Sequence, residues 1–254
     1  MKSRQIKIII LLSILALSAG ITPAVSAMHI MEGYLPPRYV VAWGILCIPF
    51  LAAGYFSLKK TLQRQRKTLT ILAMAGAYMF LLSSLKIPSV TGSCSHMTGS
   101  GLGALLFGPS TVGILGIIVL LFQAILLAHG GITTLGANTF SMAIAGPFAA
   151  YAVYRICRKL KVNKKVCYFL AALVGDLFTY CVTSMQLAIA FPSETGGVSA
   201  SFLKFLAVFA PTQIPLAVIE GLLTVITMIA LETYAKNELS YLGFDVGVKI
   251  NVKE

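Results

Sequence analysis

Six stretches of the chain run apolar, near 39–58, 69–86, 110–128, 138–157, 166–191 and 201–233. Each has about 18 residues or more, enough to cross the hydrocarbon core of a bilayer as a helix. Between them lie polar segments of two kinds. Segments 59–67 and 155–165 are strongly basic, whereas 87–98, 129–137 and 192–200 are polar with little charge. The pattern predicts an all-α, polytopic bundle of membrane helices.

The charges then decide how many crossings there are. Five of the 20 Lys and Arg residues lie in 59–67 and six in 155–165. Short basic loops gather on the cytoplasmic face. Two loops on one face are separated by an even number of crossings, yet only three long segments lie between these two. The candidate for the fourth is "GSGLGALLFG", 99–108, which is apolar, Gly-rich and followed by Pro109. It is too short to span alone. A half-helix fits, with its irregular backbone buried in protein. Counting it gives about seven membrane segments, with the amino terminus outside and the carboxyl end in the cytoplasm. The alternative is that one basic loop breaks the charge rule.

Upstream of these segments, Lys2, Arg4 and Lys7 precede an apolar run over 8–19 that is broken only by Ser13 and Ser18. Pro23 and Val25-Ser26-Ala27 follow. A basic start, a short apolar core and a small-x-small end describe a secretory signal peptide. The expected division is a leader over 1–27 and an integral membrane domain over 28–254. The competing reading is an uncleaved first helix, barely long enough to span and disturbed by Pro23. Cleavage after Ala27 makes Met28 a free amino terminus outside the cytoplasm, one residue before His29.

Composition agrees with a membrane protein: 57% of residues are hydrophobic and only 11% charged, against about 25% charged in soluble domains. The net charge of +12 comes largely from the two basic loops, so nucleic acid is not indicated. Cys47, Cys94, Cys157, Cys167 and Cys181 show no CxxC spacing and no even-numbered framework, which argues against a disulfide scaffold.

The three histidines, His29, His96 and His129, all fall on the external side in this topology. After cleavage, the Met28 α-amine, the His29 amide nitrogen and His29 Nδ1 form consecutive five- and six-membered chelate rings. Three nitrogens then lie near one plane, and a fourth from elsewhere completes a square. Tetragonal nitrogen coordination suits nickel or copper; cobalt(II) is held similarly where the protein imposes the geometry. His96 is the natural fourth ligand, because Gly92, Gly99 and Gly101 let its loop fold back. A second-shell or loop-packing role is expected for His129 rather than direct ligation. Met31 and Met97 read as core packing.

Asp176 and Glu220 are the two acids inside apolar segments, where such residues are costly and often functional. Asp176 lies midway along its span and needs an internal partner. There is no HExxH, GxSxG or Walker lysine, so neither a hydrolase site nor a built-in ATPase has support. A membrane metalloenzyme or a metal sensor built on the same histidines is the rival class. An enzyme needs an open coordination position and a nearby acid or base, and the external carboxylates Glu32 and Glu194 sit in no recognisable motif.

"MHIMEGYLPP", "SCSHMTGSGLGALLFGP" and "HGGITTLGANTFSM" strongly resemble the CbiM/NikM substrate-binding subunits (S-components) of energy-coupling factor (ECF) transporters for cobalt and nickel. The resemblance runs from Met28 to about Tyr234. It implies a non-enzymatic capture subunit of six or seven helices in the cell membrane. Its metal site maps onto the Met28 amine, the His29 amide nitrogen and imidazole, and the His96 imidazole, with Asn138 and Ser141 in a loop that closes over it. It also implies partners: a transmembrane coupling protein (CbiQ-like), ATP-binding subunits (CbiO-like) and a small accessory membrane protein (CbiN-like). No cofactor is implied; the metal is the transported substrate. Four nitrogens favour nickel on intrinsic affinity. "MHIMEGYLPP" resembles the cobalt branch, which supplies cobalamin biosynthesis, so Co(2+) is expected, with Ni(2+) as the alternative.

Overall fold

A computed structural model describes residues 29–64, 68–88 and 94–244. The expected leader, 1–27, and Met28 lie outside the described residues. The fold is a helical bundle. Helix α1 covers Pro37–Arg64 and α2 Thr68–Ser84; a two-residue antiparallel ladder then pairs β1 (Ile87–Pro88) with β2 (Cys94–Ser95). Next come α3 (Ser100–Phe107), α4 (Pro109–Leu127), α5 (Leu135–Asn138), a π-helical stretch (Thr139–Ala145) and α6 (Gly146–Lys159). The chain closes with α7 (Lys164–Ala190), α8 (Gly197–Tyr234) and the short α9 (Lys236–Tyr241).

Among the described residues, five helical segments are long and apolar enough to cross a membrane: Pro37–Gln63, Pro109–Leu127, Leu135–Lys159, Lys164–Ala190 and Gly197–Tyr234. Helix α2 is apolar but shorter, at 17 residues. The apolar stretch read as 69–86 stops as a helix at Ser84. The cause lies four residues on: Pro88 disfavours helical geometry at Ile87, and Ile87 instead pairs with Ser95.

The Gly-rich stretch forms α3, eight residues long, with Ser100 to Leu106 all buried. Gly108 follows with φ 79° and ψ 158°, a positive-φ conformation that glycine adopts without penalty. Pro109 then opens α4 at its first turn, where the missing N–H costs nothing. The short helix is thus cut off by Gly108 and surrounded by α4, α6 and α7.

Small residues set a close contact between α6 and α7. A Cβ on Gly146 would stand 2.1 Å from Thr179 Oγ1 and 3.0 Å from the Gly175 carbonyl oxygen. Between helices with apolar lipid around them, packing and hydrogen bonds replace the hydrophobic drive. This approach locks α6 onto α7. The stretch "AIAGPFAA", 143–150, is rich in small residues, and with Ala143 and Ala150 fully buried it is used inside the subunit.

Candidate metal centre

The segment that carries His29 is not a helix or a strand, yet it is fixed by side chains of the 129–138 loop and of α5. The Asn138 side-chain amide satisfies both backbone groups of Ile30: Ile30 N–H donates to Oδ1 at 2.8 Å, and Nδ2 donates to the Ile30 carbonyl at 3.0 Å. Thr134 Oγ1 donates to the same carbonyl at 2.6 Å. Glu32 N–H donates to the Gly130 carbonyl at 3.2 Å. The Glu32 carboxylate accepts from Thr133 N–H at 3.3 and 3.2 Å, and the Thr133 side chain, more than this N–H, holds its pKa below the usual carboxylate range. Asn138 thus stands in for a neighbouring strand and puts His29 in a defined place.

The loop that carries His96 is held from α8. Glu220 accepts from Thr98 N–H at 2.6 Å, Gly99 N–H at 3.0 Å and Thr98 Oγ1 at 3.0 Å. These donors stand at the start of α3, where unpaired amides and the helix dipole favour an anion. Gln213 Nε2 donates to the His96 carbonyl at 3.2 Å and to Asp176 Oδ2 at 2.6 Å. Asp176, the mid-span acid, thereby finds its internal partner. Ser95 and Thr212 share a hydroxyl–hydroxyl bond of 2.7 Å.

These two anchored segments bring the three histidines together. The rings of His29 and His96 have centroids 4.5 Å apart, His29 and His129 4.6 Å, and His96 and His129 4.8 Å. One ligand nitrogen from each lies within 4.8 Å of the others. All three side chains are buried. His96 Nδ1 bonds the Met97 carbonyl at 2.8 Å. A carbonyl only accepts, so Nδ1 carries the proton and Nε2 keeps its lone pair. That Nε2 faces His29 Nδ1 at 2.5 Å. The Nδ1 atom is the one the chelate ring of a residue-2 histidine requires. Two cis ligands on bonds of about 2.0 Å stand about 2.8 Å apart, so the two nitrogens would have to part by a few tenths of an ångström to share one ion.

Burial sets the protonation of the cluster. It pushes His96 down to about 4, with Lys86 adding to the shift. Burial, with His96 beside it, pushes His129 down to about 2. His29 is lowered well below its ordinary value by burial and by the other two rings. At neutral pH all three are neutral imidazoles, the form that ligates metal. A buried, nitrogen-only donor set suits cobalt, nickel, copper or zinc and not magnesium or calcium.

His29, His96, His129 and Asn138 therefore meet at one place. His129 stands as near to His29 as His96 does. Ser141 is buried nearby, but its hydroxyl donates to the Ala137 and Asn138 carbonyls of its own helical segment at 3.3 Å. The side chains that hold the His96 loop, Thr98 and Gln213, carry no signal in the sequence. Glu220 is conspicuous there as an intramembrane acid, but nothing in the pattern names its partner.

Comparison with known proteins fits this geometry. The family model for CbiM, described as a cobalt uptake substrate-specific transmembrane region, matches residues 29–238. A cobalt transport protein CbiM of Lachnoclostridium phytofermentans is 71% identical over 243 residues, 96% of this chain and 97% of that protein. A cobalt transport protein CbiM of Chlorobium limicola is 60% identical over 84% of each chain. Among solved structures, a truncated transition metal transporter superposes with a TM-score of 0.72 at 26% identity, covering 81% of this chain and 99% of that one.

Proposed function

The chain belongs to the CbiM family of cobalt uptake substrate-specific transmembrane proteins, and from that premise we propose that it is the substrate-capture subunit of an ATP-driven ECF transporter importing cobalt(II). The observation that carries this reading is the group of three buried imidazoles, His29, His96 and His129, all neutral at physiological pH.

In this reading a leader over 1–27 is removed and 28–254 is the working membrane domain. The Met28 amine, the His29 amide nitrogen and Nδ1, and His96 Nε2 form the square around the metal. His129 closes the site from a third side. Asn138 positions the terminal segment through Ile30, and Ser141 supports the turn that carries Asn138. Burial strips water from the ion and replaces it with nitrogens whose orientation is fixed beforehand.

About seven membrane segments follow, counting α2 and the half-helix α3, with the amino terminus outside and the carboxyl end in the cytoplasm. The subunit binds the metal but does not hydrolyse ATP. That work falls to CbiO-like ATP-binding subunits, linked through a CbiQ-like coupling protein with a CbiN-like accessory protein. The imported cobalt supplies cobalamin biosynthesis. Nickel is the alternative substrate, because four nitrogens in a square favour it on intrinsic affinity.

Two measurements test the proposal together: the mature amino terminus by mass spectrometry, and uptake of radioactive cobalt with and without the coupling and ATP-binding subunits. A working protein that begins at Met1, or uptake indifferent to those subunits, overturns it.

A further inference from the structure

Asp176 of α7 and Glu220 of α8 are both fully buried. Their carboxyl groups lie in hydrogen-bonding contact with each other. Two ionised carboxylates cannot make that contact, because each only accepts. One of the two must carry a proton, and two like charges so close in a buried site do not both ionise.

The donors around the pair decide which one. Glu220 takes three: Thr98 N–H at 2.6 Å, Gly99 N–H at 3.0 Å and Thr98 Oγ1 at 3.0 Å. They reach both of its oxygens and come from the start of α3, where the helix dipole favours an anion. Asp176 takes one donor, Gln213 Nε2 on Oδ2 at 2.6 Å. Its Oδ1 is buried with no donor in reach. A carboxylate rich in donors stays ionised, and one poor in donors is the easier to neutralise. A proton on Oδ1 also gives that oxygen a partner, since it then donates to Glu220.

Among the described residues, no cation stands at this level to offset the charge instead. Helix α7 packs against α3, α5, the π-helical stretch, α6 and α8. The first three carry no titratable side chain. On α6 such groups begin at Tyr151, beyond the level where Ala150 meets Gly175, and Arg155 lies a further turn away. On α8 Lys204 lies more than two turns before Gln213, and on α7 itself Lys164 and Lys165 lie about three turns before Asp176. Tyr180, one turn after Asp176, donates to the Leu206 carbonyl. Tyr78 of α2 meets Thr224, one turn after Glu220, at 3.3 Å. His96 presents its carbonyl on this side.

Gln213 carries the consequence to the metal centre. Its Nε2 donates both to Asp176 Oδ2 and to the His96 carbonyl, at 3.2 Å. Gln213 and Glu220 stand two turns apart on one face of α8. Both anchors of the His96 loop therefore hang from that face, and Asp176 touches both. An ionised Asp176 would repel Glu220 and pull one anchor or the other away from the loop.

We propose that Asp176 is a neutral acid and a positioning residue for His96: its Oδ1 shares a proton with Glu220, and its Oδ2 holds Gln213 on the His96 carbonyl. The positioning role rests on the metal-capture reading; the proton does not.

Infrared difference spectra of the full-length, metal-free protein at neutral pH read the proton. A carboxylic C=O band should move when aspartate is labelled with carbon-13 and vanish in Asp176→Asn; the chain has one other aspartate, Asp245. Equilibrium dialysis with cobalt reads the positioning. Asp176→Leu leaves Gln213 without its partner and should bind cobalt about tenfold more weakly. Asp176→Asn accepts from Gln213 through its oxygen and donates to Glu220 through its NH₂, as the protonated acid does, and should recover most of that loss. Thermal midpoints check folding, and Gln213→Leu, which breaks the same link, stands in if the Asp176→Leu protein does not fold. A spectrum with no such aspartate band overturns the proposal, whether or not sodium then stabilises the pair. A band that follows glutamate labelling puts the proton on Glu220 and overturns it too. An Asn variant as weak as the Leu variant, or a broken link that leaves cobalt affinity at the wild-type value, removes the positioning role. A wild-type protein that binds no cobalt overturns the metal-capture reading and the positioning role together, while the infrared band still decides the proton.

Discussion

His29 Nδ1 and His96 Nε2 face each other at 2.5 Å, although 67 residues separate them in the chain. The contact depends on two separate anchors. Asn138 fixes the His29 segment through Ile30, and Glu220 fixes the His96 loop through Thr98 and Gly99. Metal affinity is therefore expected to respond both to the ligands and to these anchors.

Replacing His96 with Ala removes a nitrogen from the proposed square. Changes to residues that merely orient a ligand cost 10–100-fold in affinity, so losing the ligand should cost more than about 100-fold. His129→Ala should cost less, because it removes a ring that packs against the square without completing it. Equilibrium dialysis with cobalt measures both. Equal affinity in the wild type and the His96→Ala protein would remove His96 from the site.

Glu220→Gln tests the anchor. The carboxylate accepts from two backbone amides and a hydroxyl. A glutamine keeps one acceptor oxygen and turns an NH₂ group toward donors. Hydrogen bonds to charged groups contribute about 1.5–3 kcal/mol each, and buried donors left unpaired cost a similar amount. The variant should be less stable by on the order of 2 kcal/mol and bind cobalt about tenfold more weakly. Chemical denaturation and metal titration read the two effects. An unchanged cobalt affinity would show that the loop holds its shape without α8.

Acid should weaken the metal-free protein in a defined window. The ordinary histidine pKa is about 6.5, and burial pushes His96 down to about 4 and His129 to about 2. Above pH 6.5 neither the folded nor the unfolded chain protonates these rings, and their contribution to stability is complete. As pH falls below 6.5 the unfolded chain takes up protons that the folded chain refuses, so stability drops. For His96 the loss runs down to about pH 4. For His129 it continues further. The thermal midpoint should therefore be level from pH 8 to about 7 and fall below about 6.5, less steeply in His129→Gln. A midpoint independent of pH between 6.5 and 4 would mean the rings are hydrated in the folded protein.

The sequence carries some of this plainly. Long apolar runs give the spans, because lipid demands length and composition that nothing else in the chain imitates. The half-helix α3 is legible only through the charge rule, since eight residues carry no span signal of their own. The histidines stand out because there are only three, but their spacing in the chain gives no measure of how near His129 comes. The anchors are the least legible. Glu220 meets Thr98 across 122 residues and Gln213 meets His96 across 117, and no local pattern encodes a contact at that range. Asn138 is visible only through the resemblance of its motif, not through its chemistry.

An insertion tests the geometry of the terminus itself. Placing one Ala between Met28 and His29, with the leader intact, makes the histidine the third residue of the mature chain. The terminus then offers four nitrogens by itself: the amine, two amides and the imidazole. That set fits the tetragonal preference of copper and nickel better than that of cobalt. The square no longer needs His96, so closure of its loop loses its link to metal capture. The inserted residue also shifts the register in which Ile30 meets Asn138, so either the clamp or the chelate is displaced. The α-amine, with a free pKa of about 7.7–8.0, remains a ligand in competition with protons. The insertion variant should bind copper or nickel and fail to import cobalt. Radioactive cobalt entering cells at the wild-type rate would show that the position of His29 behind the terminus does not matter, and would leave the three-histidine cluster alone as the capture site.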